Sequence, residues 1–177
     1  VSQRSLESSL SRLSSGLRIT KASDDAAGLA VSENLRGQIR SLQQASRNAS
    51  DGVSVVQIAE GAMNEITNML IRQRELAIQS SSDGISDSER VYMNNEFQEL
   101  TSEIDRISGS TKFAQNALIN GSGADMVFQV GTENATNSQI TISFSSMQVT
   151  SSGLGVSSAT LDSRTNAQSA IDTVDAA

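Results

Sequence analysis

The 177 residues include no histidine and no cysteine. The usual proton shuttle, the thiol nucleophile and the standard zinc ligands are therefore all missing. Carboxylate, serine and lysine are left to do chemistry. The only adjacent acidic pair, Asp24-Asp25, stands immediately before a long helical pattern. A helix cap and the favourable interaction with the helix dipole account for it there. Neither Lys21 nor Lys112 has a serine three residues before it, and no G-x-x-x-x-G-K-[ST] loop is present, so the acylation and phosphate-loop signatures both fail. Asn48, Asn120 and Asn134 open N-x-[ST] sequons, as expected by chance in a chain rich in Ser, Thr and Asn. The residues call for no catalytic centre, no metal and no cofactor.

With chemistry set aside, binding is what the surface can do. Thirteen basic against twenty acidic residues leave a net charge of -7, which repels phosphate backbones and argues against a nucleic-acid partner. No run of eighteen apolar residues exists, so membrane insertion is not expected, and the N-terminal stretch VSQRSLESSL lacks the apolar core of a cleavable signal. Four Phe, one Tyr and no Trp suit narrow helix-helix seams better than a thick core. Proline, the strongest helix breaker, is absent altogether.

The periodicity shows what that absence permits. From about 26 to 81, Leu35, Leu42, Ala49, Val56, Met63, Leu70 and Ala77 recur at every seventh position. Ile39, Ala45, Val53, Ala59 and Ile66 widen the stripe. Such a repeat predicts one long helix packed in coiled-coil fashion, a rod of roughly 80 Å. Gly84 then marks a turn, and Ser86 with Glu89 forms a capping box that opens a second helix, about 86–108. Its seam is Met93, Phe97, Leu100, Ile104 and Ile107. The short turn makes the two helices antiparallel. MVFQV and QITISF read as a β-hairpin at about 125–144, followed by a Ser-rich loop over 145–160. Ala167, Ala170, Ile171 and Val174 begin a last helix, about 163–177. At the other end, Leu6, Leu10, Leu13 and Leu17 form an amphipathic stripe. The fold class is thus mainly α: long antiparallel coiled-coil-like helices forming a rod, with a small β-hairpin region. The division is a partial terminal helical segment over 1–23 and a rod-like core domain over 24–177. Both ends read as cuts through helices.

On the first helix, Arg72, Leu76 and Gln79 cluster within about 60° of one another and lie roughly 100° to 160° from the seam residue Ala77. Leu76 is thereby expected to point away from the seam. It would either pack against a further element or anchor a partner site ringed by polar groups. Counting back from the turn brings Arg72 level with about residue 95, so Glu96 could extend such a patch. A mostly exposed leucine predicts that Leu76→Ala would change stability little.

The motifs themselves are long and specific. RLSSGLRI, DDAAGLAVSE, QASRNASDGVSVVQIAEGAMNEI, RQRELAIQS and EIDRIS together resemble bacterial flagellin, closely to about Gly121 and more loosely through the hairpin. The resemblance implies a structural subunit of an extracellular flagellar filament, not an enzyme. It would leave the cell through the flagellar type III export apparatus, meet the capping machinery, and pack against other flagellin subunits through its helical faces. It also implies recognition by the innate receptor Toll-like receptor 5. The arginine, leucine and glutamine of the family's receptor segment fall on Arg72, Leu76 and Gln79, and its glutamate on Glu96. The resemblance places that patch between subunits in the filament. By the same resemblance the family's extreme N-terminus and most of its C-terminal helix are missing from this stretch, so assembly of the chain as given is not expected. A non-flagellar coiled-coil adaptor or chaperone is the alternative that the heptads alone would allow.

Overall fold

A computed structural model describes residues 2–16, 18–21, 23 and 25–177. Leu17 and Asp24, both named above, lie outside them. The main elements are helices α1 (Ser2–Ser15), α2 (Ala26–Ser80), α3 (Asp87–Ser110) and α4 (Arg164–Asp175), with strands β1 (Lys112–Phe113), β2 (Asn116–Ala117), β3 (Met126–Gln129) and β4 (Gln139–Ile142). The chain divides into two compact units, one of residues 1–49 with 129–139, the other of 50–128 with 140–177.

The helix boundaries follow from their caps. Asp25 starts α2: its Oδ1 accepts the Gly28 backbone N–H at 2.8 Å and its carbonyl accepts from Leu29. This satisfies donors that the first turn cannot pair internally. Ser86 and Glu89 form the reciprocal capping box expected for α3. Ser163 caps α4 by accepting from the Asn166 N–H.

In the unit of 50–128 and 140–177, α3 and α4 pack along the second half of α2. Two apolar clusters hold them there. One gathers Val55, Ala59 and Ile66 of α2 with Ile104, Leu118, Ile119 and Phe144; the other gathers Leu76, Ala77, Met93, Phe97, Val156, Leu161 and the small face of α4, Ala167, Ala170 and Val174. The α3 and α4 faces are therefore those the spacing predicts. The α2 face is not. Leu35, Leu42 and Val56 are 53%, 55% and 44% exposed. The buried line runs through Ala45, Gly52, Ala59, Ile66, Gln73 and Ser80. That line keeps the seven-residue period but is offset by about 40° from the one predicted. Scanning for apolar residues finds Ala45, Ala59 and Ile66 but does not centre the seam on their line, because the line also contains a glycine, a glutamine and a serine. Gly52 belongs there because a Cβ would stand 3.3 Å from the Phe128 ring.

β1 and β2 form a minimal antiparallel pair, Lys112 opposite Ala117 and Phe113 opposite Asn116. Their turn residues Ala114 and Gln115 both take positive φ. Neither residue type advertises such a turn, so the composition gives no sign of it. β3 and β4 make the second two-stranded sheet, where the alternating segments predict it. In the smaller unit, Ala45 is buried and Asn48 Nδ2 donates to the Gln129 carbonyl at 2.9 Å. The α1 leucines Leu6, Leu10 and Leu13 are exposed.

Candidate functional site

The face built on Arg72 comes from two helices that meet through Gln73. This glutamine is fully buried on the α2 seam. Its Nε2 donates to Thr101 Oγ1 at 2.8 Å and to the Phe97 carbonyl at 3.2 Å, which ties α2 to α3 one residue from the candidate patch. Its Oε1 is buried with no hydrogen-bond partner. A buried amide with one unmet acceptor costs stability, but the two bonds it does make are available in one register of the helix pair only.

That register brings Arg72 and Glu96 together. Arg72 Nε donates to Glu96 Oε1 at 2.9 Å and its Nη2 lies 2.8 Å from the same oxygen, while Nη1 donates to Glu75 at 3.0 Å. Hydrogen bonds to Glu75 and Glu96 hold the guanidinium above its ordinary pKa. The side chains are about half exposed, so the fork between two carboxylates sets orientation more than stability. Gln79 is exposed about two turns nearer the α2–α3 connection.

Of the two alternatives for Leu76, packing against a further element is the one found, and its expected exposure is corrected. The leucine is 1% exposed and sits inside the second apolar cluster, and so does not stand on the surface beside Arg72. Two facts produce the burial. Because the seam centres on Gln73, Leu76 and Ala77 flank that line on opposite sides, about 60° and 40° away, and both face inward. The Ser-rich segment after β4, expected to be plain loop, also folds back as a cover. Val156 and Leu161 are fully buried, Ser80 Oγ donates to the Leu161 carbonyl at 3.0 Å, and Asn94 accepts from the Leu161 N–H at 2.8 Å. Upstream, Asp105 accepts from the Ser151 N–H and hydroxyl at 2.8 and 2.7 Å. The α4 helix completes the cover, held at its two ends by Arg164–Asp83 and by the Arg74–Asp175 pair. Sequence reasoning missed Asn94 and Asp105 entirely. Their only trace is a polar residue on an otherwise ordinary helix face.

The surface thus consists of Arg72, Glu75, Gln79 and Glu96, while Leu76 belongs to the core. Among the described residues no three acidic, histidine or cysteine side chains gather as a metal site, and no helix is long and apolar enough to cross a membrane. An arrangement of paired exposed charges over a close-packed helical core can orient a protein partner. It offers no activated nucleophile.

These features define a mainly helical protein in which α3 and α4 pack along the second half of a long α2. The chain belongs to the bacterial flagellin family: the family's N-terminal helical region matches residues 1–124. It is 41% identical over 169 residues to a flagellin of Halalkalibacterium halodurans, covering 96% of this chain and 61% of that protein. It is 46% identical over 136 residues to flagellin D of Vibrio cholerae, covering 77% and 36%. The crystal structure of Bacillus cereus flagellin superposes with a TM-score of 0.63 at 26% identity, covering 73% of each chain. The chain therefore spans about 61% of the first of these curated relatives and 36% of the second.

Proposed function

We propose that the chain serves as the subunit of a bacterial flagellar filament, exported from the cell and packed against further flagellin subunits through its helical faces. Besides the family match, one observation carries this reading. Val31, Leu35, Ile39 and Leu42 on the first half of α2 are 53–59% exposed, an apolar ridge of the kind that subunit packing would bury. Negative-stain imaging of the intact full-length protein tests it: helical filaments are expected, and a population of monomers and dimers alone at high concentration would count against it.

A second reading, recognition by Toll-like receptor 5, draws support from the pairing of Arg72 with Glu96 beside exposed Gln79. In this reading Arg72, Gln79 and Glu96 make the contacts, and Leu76 acts by holding the surface that carries them. The soluble protein with Arg72→Ala, checked for retained helix content, is expected to signal through the receptor more than about tenfold less well, as loss of a central contact residue typically does. Unchanged signalling would remove the reading.

A further inference from the structure

Charge is distributed unevenly along the sequence. Residues 1–49 and 129–139 hold seven basic against five acidic side chains, whereas the other unit holds six against fifteen, which together give the net -7. Within this asymmetry two exposed stripes stand out. On α2, Glu33, Arg36, Arg40, Gln43 and Arg47 are all exposed and fall within about 80° of one another at 3.6 residues per turn. On α3, Tyr92, Glu96, Glu99 and Arg106, all exposed, and the half-exposed Glu103 share an arc of about 80°, with Tyr92 75% exposed. Their spacings match when the helices run antiparallel. Arg36 then meets Glu103, Arg40 meets Glu99, Arg47 meets Tyr92, and Glu33 meets Arg106.

We propose that the α3 stripe of one copy docks antiparallel on the α2 stripe of a second copy in this register. The inference rests on the filament-subunit reading and names a contact within it. Charge complementarity carries the argument. Arg36 already pairs with Glu33 at 3.0 Å and Glu103 with Arg106 at 2.6 Å, so bringing the two pairs face to face closes an alternating four-charge network. Arg40 and Glu99 stand in no ion pair among the described residues, and the register gives each the other. Arg47, held only by the neutral Gln44 amide oxygen at 2.7 Å, meets the Tyr92 ring face. A parallel alignment does not match: the α2 stripe steps by 3, 4, 3 and 4 residues and the α3 stripe by 4, 3, 4 and 3, so only four of the five positions can face one another. Because the two surfaces differ, the contact is heterologous: each copy keeps one of each stripe free, and association is open-ended instead of closing as a dimer.

Tyr92 is the only tyrosine in a chain without tryptophan, so intrinsic fluorescence reports on this surface directly. In sedimentation and Tyr92 anisotropy titrations, the chain is expected to associate at about 20 mM salt and to weaken about tenfold or more at about 300 mM. Arg40→Glu and Glu99→Arg should each weaken association at low salt by roughly fivefold or more, with circular dichroism unchanged because both sites are exposed. An equimolar mixture of the two variants should regain it, as should both substitutions in one chain, since each arrangement restores an opposite-charge pair. Association indifferent to both single variants, or single-variant losses that neither combination rescues, would overturn this register and leave filament formation standing. No association at low salt would overturn the proposed contact, while imaging decides separately whether filaments form.

Discussion

Leu76 shows how a single position can be misjudged when the seam is drawn three or four residues out of phase. Measured from Ala77 it lies about 100° round the helix, which reads as solvent. Measured from Gln73, the residue that actually contacts α3, it lies about 60° away and faces Phe97, Val156 and α4. The consequence for stability reverses. A leucine at 1% exposure loses both its transfer free energy and its packing when truncated, so Leu76→Ala is expected to cost about 2–5 kcal/mol. Urea denaturation followed by helix signal checks this: a shift within about 0.5 kcal/mol would mean the cover of α4 and 154–161 is not closed in solution. The same substitution then tests recognition poorly, because loss of fold and loss of contact coincide. Arg72, exposed and removable, is the better probe.

At the scale of elements, sequence and structure agree wherever a local rule decides. The caps at Asp25 and Ser86, the ends of α2 and α3 and the strands β3 and β4 follow from side chains that satisfy nearby backbone groups or alternate along a pleat. They disagree where a contact arrives from far along the chain. Docking of 151–161 depends on Asp105 and Asn94, 46 and 67 residues away, and no periodicity encodes that. The site divides the same way: the pairing of Arg72 with Glu96 follows from turn length and antiparallel counting, whereas the burial of Leu76 needed the cover. Local capping also sets the acid response. Glu89 is held below its ordinary pKa by the Ser86 hydroxyl and N–H, Asp162 by Asn166 and Thr160, and Asp175 by Arg74. A depressed folded pKa means the stabilisation is complete above the unfolded value and is lost as pH falls through the folded one. With no histidine to titrate, stability is expected to be level from about pH 5 to 8 and to decline below about pH 4.5. Glu89→Gln should lower stability at neutral pH and flatten part of that decline; equal acid sensitivity in variant and parent would show that the capping box contributes nothing to it.

Across the whole molecule, burial is concentrated in one unit. Both apolar clusters belong to 50–128 with 140–177. In the other unit α2 buries only Ala45 between 26 and 49 among the described residues, and it exposes Leu35, Ile39 and Leu42. A helix without a packed face is marginal in water, since propensity alone barely exceeds the cost of ordering the chain. One continuous helix of 55 residues is therefore expected to open in parts. Native-state hydrogen exchange of the soluble protein should show amides near 30–44 exchanging at least about a hundredfold faster than those near 66–77, where each turn is locked by Gln73, Leu76 or Ile66. Uniform protection along α2 would mean that something beyond packing holds its first half. If subunits do pack on the Leu35–Ile39–Leu42 ridge, assembly should slow exchange in that first half most, because the second half has little protection left to gain. The segment least stable in isolation would then be the one whose ordering is coupled to joining the filament.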